Sequence, residues 1–306
     1  MSSTVVSTHA PLRLDRVDTT HGALSDYKEL LKPGITGFVV VMAAASYLMA
    51  ANPAFDWLTL VGLMLGTGLT AGGAGALNHA LERRHDALMA RTVERPVATG
   101  RISALAATLY GVSCAVLGTV ALALTTNALT TGLAVLTVVL YVLVYTPLKR
   151  RTVHNTLIGA IPGALPALGG VTAATGVLDS TGWSLFAILY LWQLPHFFAL
   201  AWMYKADYAA GGFKMLPQTE RGSKAAAWIA LVATLLLLIA GMLPSAIGPA
   251  GLLYLVGMAG LGTAFTIPAF SFFSEPTDAR ARRLLLASIV YVPVFFALVV
   301  LDVLIG

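Results

Sequence analysis

Long apolar runs, separated by short polar segments, extend over most of the chain. Nine of these runs reach the length of about 20 residues that an α-helix needs to cross a bilayer. They cover residues 35–53, 57–77, 104–124, 129–147, 156–176, 183–203, 225–244, 249–272 and 285–305. The pattern predicts an all-α fold, a polytopic membrane bundle of nine transmembrane helices. We expect a polar N-terminal segment, 1–32, followed by a single helical domain, 33–306.

Composition and charge placement agree with a membrane bundle. Of 306 residues, 58% are hydrophobic and 11% are charged, and the mean hydropathy is +0.81, which excludes a soluble globular protein. Under the nine-helix count, all 19 Lys and Arg residues fall on the side of the N-terminus. The positive-inside rule therefore predicts a cytoplasmic N-terminus and an external C-terminus. The net charge of +5 suits the anionic headgroups of membrane lipids, and nothing in it indicates nucleic-acid binding.

The polar segment NHALERRHDALMARTVERPVATG, 78–100, directly follows the second apolar run. Asn78, Glu82 and Asp86 stand four residues apart in it, a spacing that brings them to one face of a helix. One amide and two carboxylates supply the hard oxygen ligands that Mg²⁺ prefers, and Mg²⁺ usually bridges a few carboxylates to substrate phosphates. The spacing thus indicates a site for magnesium and diphosphate. The alternative is a juxtamembrane helix whose charges are simply solvated.

Cations accompany these acids. Guanidinium groups bind phosphate oxygens in bidentate fashion, so we expect Arg91 and Arg95 to bind the diphosphate from a connection that covers the acidic face as a lid. Lys149, Arg150 and Arg151 follow the fourth run on the same side of the membrane. These three either attract the anion or serve only as topology determinants.

The sixth run ends in a second polar segment. His196 and Asp207 are eleven residues apart, about three turns, which predicts nearly the same face of one helix. An ionisable residue within an apolar run usually faces the protein interior, so His196 is a functional candidate, with a hydrogen-bonded core histidine as the alternative. Asp207 and Lys205 are expected at the diphosphate end, with an interfacial ion pair as the alternative.

The remaining runs predict packing rather than chemistry. The second run carries Gly66, Gly68, Gly72, Gly73 and Gly75 shortly before Asn78, and small residues let membrane helices approach closely. The third and fourth runs carry almost nothing ionisable and are predicted to face lipid or pack against neighbours. The fifth run contains Pro162 and Pro166, which predict a kinked helix at a cavity or a tight helix junction.

Three stretches carry a resemblance to a known family. They are NHALERRHDALMARTVERPVATGRIS, YTPLKRRTVHNTLIGAIPGALPALGG and WQLPHFFALAWMYKADYAAGGFKMLP. The first resembles the Asn-x-x-x-Asp-x-x-x-Asp motif of the UbiA superfamily of intramembrane prenyltransferases. The Pro-His-Phe of the third, with its later Asp-Tyr, is similar to the branch of that superfamily that farnesylates heme. The resemblance runs from LLKPGITG to about residue 225.

The resemblance implies a nine-helix bundle around a central cavity, in a bacterial inner membrane, with Mg²⁺ as cofactor. It implies transfer of a farnesyl group from farnesyl diphosphate to a vinyl group of heme b, with a downstream heme-modifying enzyme as a further partner. Asn78, Glu82 and Asp86 would hold the metal and act in catalysis together with Asp207, and His196 would bind heme. The sequence departs from the pattern at Glu82, where Asp is usual, and at 84, where an Arg replaces an Asp frequent in that branch.

Two other functions stay open at this point. One is a UbiA-type enzyme that acts on an aromatic or quinone-precursor acceptor. The other is an ion-coupled transporter that relays ions through His196 and the carboxylates. A transporter would place charges near the middle of the bilayer, whereas most charges of this chain fall at one face.

Overall fold

The computed structural model describes residues 22–51, 55–248 and 250–305. Its α-helices are α1 (Ala23–Leu30), α2 (Pro33–Ala50), α3 (Trp57–Asp86), α4 (Ala104–Thr125), α5 (Ala128–Val139), α6 (Thr146–Leu148), α7 (Asn155–Thr175), α8 (Ser180–Met203), α9 (Lys205–Ala210), α10 (Glu220–Ile247), α11 (Leu252–Ser274) and α12 (Asp278–Ile305). A π-helical stretch, Leu140–Tyr145, joins α5 to α6 in one continuous rod. A short 3-10 turn, Leu216–Gln218, precedes α10.

The prediction of nine spanning helices is confirmed within these residues. Nine rods are long and apolar enough to cross a bilayer, namely α2, α3, α4, the α5–α6 rod, α7, α8, α10, α11 and α12. The polar segment 78–86 continues α3 as helix, as the spacing of its acids predicted. Residues 1–21 of the predicted N-terminal segment, and 52–54 and 249 at the ends of two predicted runs, lie outside the described residues.

Glycines set the distance between α3 and α4. A Cβ at Gly73 would lie 2.6 Å from the carbonyl oxygen of Gly111, and a Cβ at Gly118 would lie 2.6 Å from that of Gly66. Such spacings leave no room for any side chain, so the two helix backbones touch at these points. This close contact confirms the predicted role of the glycines in the second run and fixes the helix that carries the acidic face.

The helix α7 forms the tight junction that its sequence predicted. Pro162 and Pro166 lie inside it and belong to its buried face or border it. A Cβ at Gly170 would collide with the carbonyl oxygen of Ala43 on α2, and one at Gly163 would collide with the side chain of Gln193 on α8. These contacts place α7 in the centre of the bundle, packed between α2 and α8.

The basic residues gather at one end of the bundle. Each Lys and Arg of the described residues lies before α2 or α10, within the first turns of α10 or α12, at the end of α3, or in the connections after α3, α6 and α8. Contacts join these ends directly: Trp202 at the end of α8 donates to Asp278 at the start of α12, at 2.8 Å. The basic residues therefore share one face of the bundle, as the charge pattern predicted.

Two details differ from the sequence-based expectations. Asp207 and His196 do not share one helix, because α8 ends at Met203 and Tyr204 (φ −107°, ψ 24°) starts a separate short helix, α9. The fourth span is more than a lipid-facing helix, since its last turns reach the acidic face of α3. The contact that shows this is a hydrogen bond from Asn78 of α3 to Thr146 at the end of the fourth span.

Candidate active site

The three predicted oxygen ligands lie side by side at the charged end of α3. Asn78, Glu82 and Asp86 expose 0%, 5% and 1% of their surface. The alternative of a solvated juxtamembrane face is therefore wrong, because solvated charges would be exposed. All three line one cavity, so the four-residue spacing does align them as predicted.

Each of these side chains has its own cation. Lys32 Nζ donates to Asn78 Oδ1 at 2.5 Å, and Lys149 Nζ lies 2.9 Å from Glu82 Oε1. Arg95 Nη1 donates to both Asp86 oxygens, at 2.9 and 3.0 Å. Burial of a charge is tolerated only when a partner compensates it. The two ion pairs therefore explain how Glu82 and Asp86 stay buried at the end of an apolar bundle, whereas Lys32 faces a neutral amide.

A cavity of about 70 Å³ lies among these groups. Its walls are formed by Lys32, Asn78, Glu82, Asp86, Met89, Arg91, Arg95, Tyr145, Lys149, Tyr208, Phe213 and Met215. Charged and amide groups occupy the α3 side, and aromatic and thioether side chains occupy the other. We call this space the ionic cavity.

The pKa values of the two lysines of the ionic cavity are shifted in opposite directions, because their charged neighbours differ. Burial lowers the pKa of Lys32, and the nearby cations Arg95 and Lys149 lower it further. Burial also lowers the pKa of Lys149, but the facing carboxylate of Glu82, with Tyr145 and Tyr141, outweighs it, so the pKa of Lys149 stands above its ordinary value. Lys149 is thus a firmly held cation.

The two polar segments that follow α3 and α8 meet across the cavity rim. The backbone N–H of Arg91 donates to Asp207 Oδ2 at 3.3 Å. The guanidinium of Arg91 lies over the rings of Tyr204 and Tyr208, 4.9 and 4.8 Å from their centroids. Asp207 itself does not line the ionic cavity, but it ties down the backbone of a residue that does.

The connection between α3 and α4 packs over the site as a folded cover. Its residues Met89, Thr92 and Val97 are buried, and Thr92 donates to the carbonyl oxygen of Asp86 at 2.9 Å. Arg101 closes its far end by an ion pair with Asp26 of α1, at 3.1 Å. The predicted cover is therefore an ordered element that carries Arg91 and Arg95 to the cavity.

Three other predicted diphosphate ligands lie outside the cavity lining. Arg150, Arg151 and Lys205 are exposed on the same end of the bundle. Arg150 donates to Nε2 of His85 at 3.2 Å, and Lys205 Nζ lies 4.4 Å from the ring centroid of Trp202. They lie at the charged end of the bundle but do not line the ionic cavity.

His196 occupies a different environment from the acids. Its ring stacks on Trp192 with centroids 5.3 Å apart, and Trp192 in turn stacks on Phe38 of α2 at 5.2 Å. His196 Nδ1 lies 2.8 Å from Ser288 Oγ on α12. The ring is half-buried in an aromatic stack between α2, α8 and α12, and it does not line the ionic cavity.

Sequence reasoning missed several residues that build the site, among them Lys32, Tyr145, Thr146 and His85. Lys32 is the one non-glycine residue with positive φ (49°) in the described residues, and this backbone conformation directs its side chain toward Asn78. Thr146 Oγ1 accepts from Asn78 Nδ2 at 3.1 Å, and Tyr145 lines the cavity. His85 accepts from Arg150 through Nε2, so its Nδ1–H donates to the carbonyl oxygen of Gly211, at 2.8 Å.

The π-helical stretch explains how the end of the fourth span, predicted only to face lipid or pack against neighbours, also reaches the site. An inserted residue in a π turn shifts the following side chains around the helix, and such turns are frequent at functional sites. Tyr145 ends this stretch and Thr146 follows it. Apolar periodicity gives no sign of such a shift. For Lys32 the sequence did offer a signal, because a Lys directly before a Pro at the start of a span places a cation at the membrane interface.

The donor set fits a hard divalent cation that also binds its substrate. Among the described residues, no three acids, histidines or cysteines are grouped so as to enclose a metal by themselves. Asn78, Glu82 and Asp86 instead offer one amide oxygen and two carboxylates toward a cavity lined by cations. Mg²⁺ is typically held in this way, by one or two carboxylates together with substrate phosphates.

Residues 39–299 match the UbiA prenyltransferase family, and the chain belongs to that family. This chain, whose described residues form nine spanning helices with a buried ionic cavity at one end, is therefore a membrane-embedded prenyltransferase. Two solved structures share the fold. A digeranylgeranylglyceryl phosphate synthase has a TM-score of 0.76 at 17% identity and covers 92% of this chain and 98% of its own. A UbiA homolog from Archaeoglobus fulgidus bound to GPP and Mg²⁺ has a TM-score of 0.70 at 15% identity, with 90% and 100% covered.

Two similar curated proteins carry the same description within this family. The protoheme IX farnesyltransferase of Salinibacter ruber is 46% identical over 279 residues, which are 91% of this chain and 99% of that protein. The protoheme IX farnesyltransferase of Solibacter usitatus is 40% identical over 288 residues, again 91% and 99%. The similarity extends beyond the point near residue 225 where the motifs fade, because it spans nearly the full length of both relatives.

Proposed function

We propose that this chain transfers the farnesyl group of farnesyl diphosphate to a vinyl group of protoheme IX, giving heme O and diphosphate. The observation that carries the proposal is the ionic cavity, where Asn78, Glu82 and Asp86 converge with three buried or half-buried cations at the end of an apolar bundle. Identity of 46% with a protoheme IX farnesyltransferase supports the choice of donor and acceptor.

In this proposal, Asn78, Glu82 and Asp86 hold Mg²⁺ together with the diphosphate. When bound, Mg²⁺ neutralises the charge that grows on the leaving diphosphate. Arg95, Lys149 and Lys32 contact these three side chains, so they are placed to bind an arriving diphosphate while Asn78, Glu82 and Asp86 would hold the metal. Glu82 and Asp86 are thus already compensated by Lys149 and Arg95 before substrate arrives, and Lys32 adds a further positive charge for the diphosphate.

The cations then stabilise the departing group. Arg91 and Arg95 bind diphosphate oxygens from the cover, and Lys149 binds them from the end of the fourth span. Asp207 positions Arg91 through its backbone N–H. Arg150, Arg151 and Lys205 increase the positive potential at the rim and speed the arrival of the anion.

The aromatic side of the cavity protects the allylic carbocation. Tyr145, Tyr208 and Phe213 line it, and ring faces stabilise a nearby cation while they exclude water. We place heme toward His196, whose stack with Trp192 and Phe38 offers flat apolar surface and one imidazole for the iron or a propionate. The charged end of the bundle faces the cytoplasm of a bacterial inner membrane, with the C-terminus outside, and a downstream heme-modifying enzyme receives the product.

The test is mass analysis of the porphyrin that purified protein forms from heme b, farnesyl diphosphate and Mg²⁺. We expect a new heme heavier by one farnesyl group and one hydroxyl group. Asp86→Asn, which keeps the shape of the side chain, is expected to form none while remaining folded. Farnesylation of an aromatic acid or quinone precursor with heme b left unchanged would instead assign the chain to another acceptor. Ion uptake without diphosphate turnover would favour a transporter.

A further inference from the structure

A second, smaller cavity adjoins the ionic cavity. It has a volume of about 20 Å³ and shares Tyr145, Tyr208 and Met215 with the ionic cavity. Asn155 and Thr156, at the start of α7, form part of its remaining wall. A cavity needs roughly 10–15 Å³ to hold one water molecule, so this space accommodates one water and little else.

One polar atom of this wall lacks a partner. Asn155 is 1% exposed, and its Nδ2 donates to the carbonyl oxygens of Thr152 and Lys214, both at 2.7 Å. These two bonds fix the amide orientation, since a flipped amide would set its oxygen against two carbonyl oxygens. Asn155 Oδ1 is buried without a hydrogen-bond partner among the described residues. A buried acceptor of this kind calls for a donor from a bound molecule.

We propose that this cavity binds the water molecule that adds to the farnesylated heme, and that Asn155 is the positioning residue that accepts a hydrogen bond from it. The inference rests on the proposed function and assigns a further step to it. Tyr145 and Thr156, whose side chains carry hydroxyl groups, also line this small space, and a buried water typically has two to four polar partners. The shared wall residues place this water beside the cavity in which the carbocation forms.

The chemistry gives this water a defined task. Breaking the carbon–oxygen bond of farnesyl diphosphate leaves an allylic cation and diphosphate. The vinyl double bond of heme supplies two electrons to a new carbon–carbon bond, and the carbon next to the porphyrin ring becomes the cation. This second cation either gains water, which gives an alcohol, or loses a proton, which gives a diene. In the first case the water oxygen forms the new bond, and its surplus proton passes to the released diphosphate.

The two outcomes differ by the mass of one water, so one assay separates them. Asn155→Leu removes the acceptor from a side chain of similar size, and we expect the ratio of alcohol to diene to fall about tenfold, the effect of losing one well-placed hydrogen bond. Thr156→Val keeps the shape of the wall and removes its hydroxyl, and we expect a smaller shift in the same direction. This second variant decides the matter if Asn155→Leu does not fold, because Thr156 anchors no loop.

The matched control is Asn127→Ala. Asn127 also pins a carbonyl through its Nδ2, that of Thr172 at 2.7 Å, but it lies at the opposite end of the bundle. We expect it to change the rate at most and to leave the product ratio at the wild-type value. Wild-type ratios in both Asn155→Leu and Thr156→Val would overturn the water site. Absence of any farnesylated heme from the wild-type protein would instead refute the proposed function itself, so the two failures are distinguishable.

Discussion

Replacing Lys149 by Met is the most informative single test of the ionic cavity. Met keeps an unbranched apolar stem and removes the ammonium group, which lies 2.9 Å from Glu82 and 4.7 Å from the ring centroid of Tyr145. The two partners expose only 13% and 6% of their side chains. Removing one partner of a buried ion pair costs about 3–5 kcal/mol, because the remaining charge stays buried without compensation. We therefore expect the melting temperature to fall by about 10 °C.

The assay is thermal unfolding of the purified protein, followed by tryptophan fluorescence in the absence of substrate and metal. Lys224→Met is the control, since Lys224 pairs with Glu220 at 3.0 Å on the exposed surface and its loss should change little. The double variant Glu82→Gln with Lys149→Met should recover most of the lost stability but no farnesyl transfer. If Lys149→Met melts at the temperature of Lys224→Met, the pair contributes no net stability and the charge-balance reasoning is wrong.

The remaining predictions concern the metal, the missed lysine, the histidine and the helix contact. Removing Mg²⁺ with EDTA should stop farnesyl transfer and added Mg²⁺ should restore it; full activity in EDTA would rule out the metal. Lys32→Met should raise the KM for farnesyl diphosphate at least tenfold with a smaller change in kcat, measured by steady-state kinetics. His196→Ala should alter the absorption spectrum of bound heme, and an unchanged spectrum would clear it of that role. Gly73→Ala should lower the melting temperature because its Cβ meets backbone atoms, whereas Gly169→Ala, with nothing within 4 Å, should not.

Helical periodicity alone was sufficient to predict the acidic face of α3. The spacing of Asn78, Glu82 and Asp86 depends only on the pitch of a helix, so it is readable from the chain. Its burial was not readable in the same way, because burial depends on the cations that arrive from elsewhere. Lys32, Arg95 and Lys149 come from three different connections, and each one alone resembles an ordinary topology determinant.

The second polar segment illustrates the limit of periodicity. Counting eleven residues from His196 to Asp207 assumes an unbroken helix, and the break at Tyr204 removes that assumption. Asp207 consequently meets Arg91 at the cavity rim, while His196 points toward Ser288 within the bundle. The two residues therefore serve different regions of the protein, although they are close in sequence.

The sequence alone determined the membrane class, the nine spans, the shared face of the basic residues and the helix face that carries the acids. These features follow from hydropathy, charge placement and helical pitch, all of which act over at most a few turns. Only the tertiary structure decided which cation pairs with which acid, that the fourth span turns Tyr145 into the cavity, and that Asn155 leaves one oxygen free. Most of those contacts join residues 46 to 68 positions apart, such as Lys32 with Asn78 and Asn78 with Thr146, although Arg95 and Asp86 are only nine positions apart. Contacts at that separation are set by how the helices pack, and no local pattern encodes them.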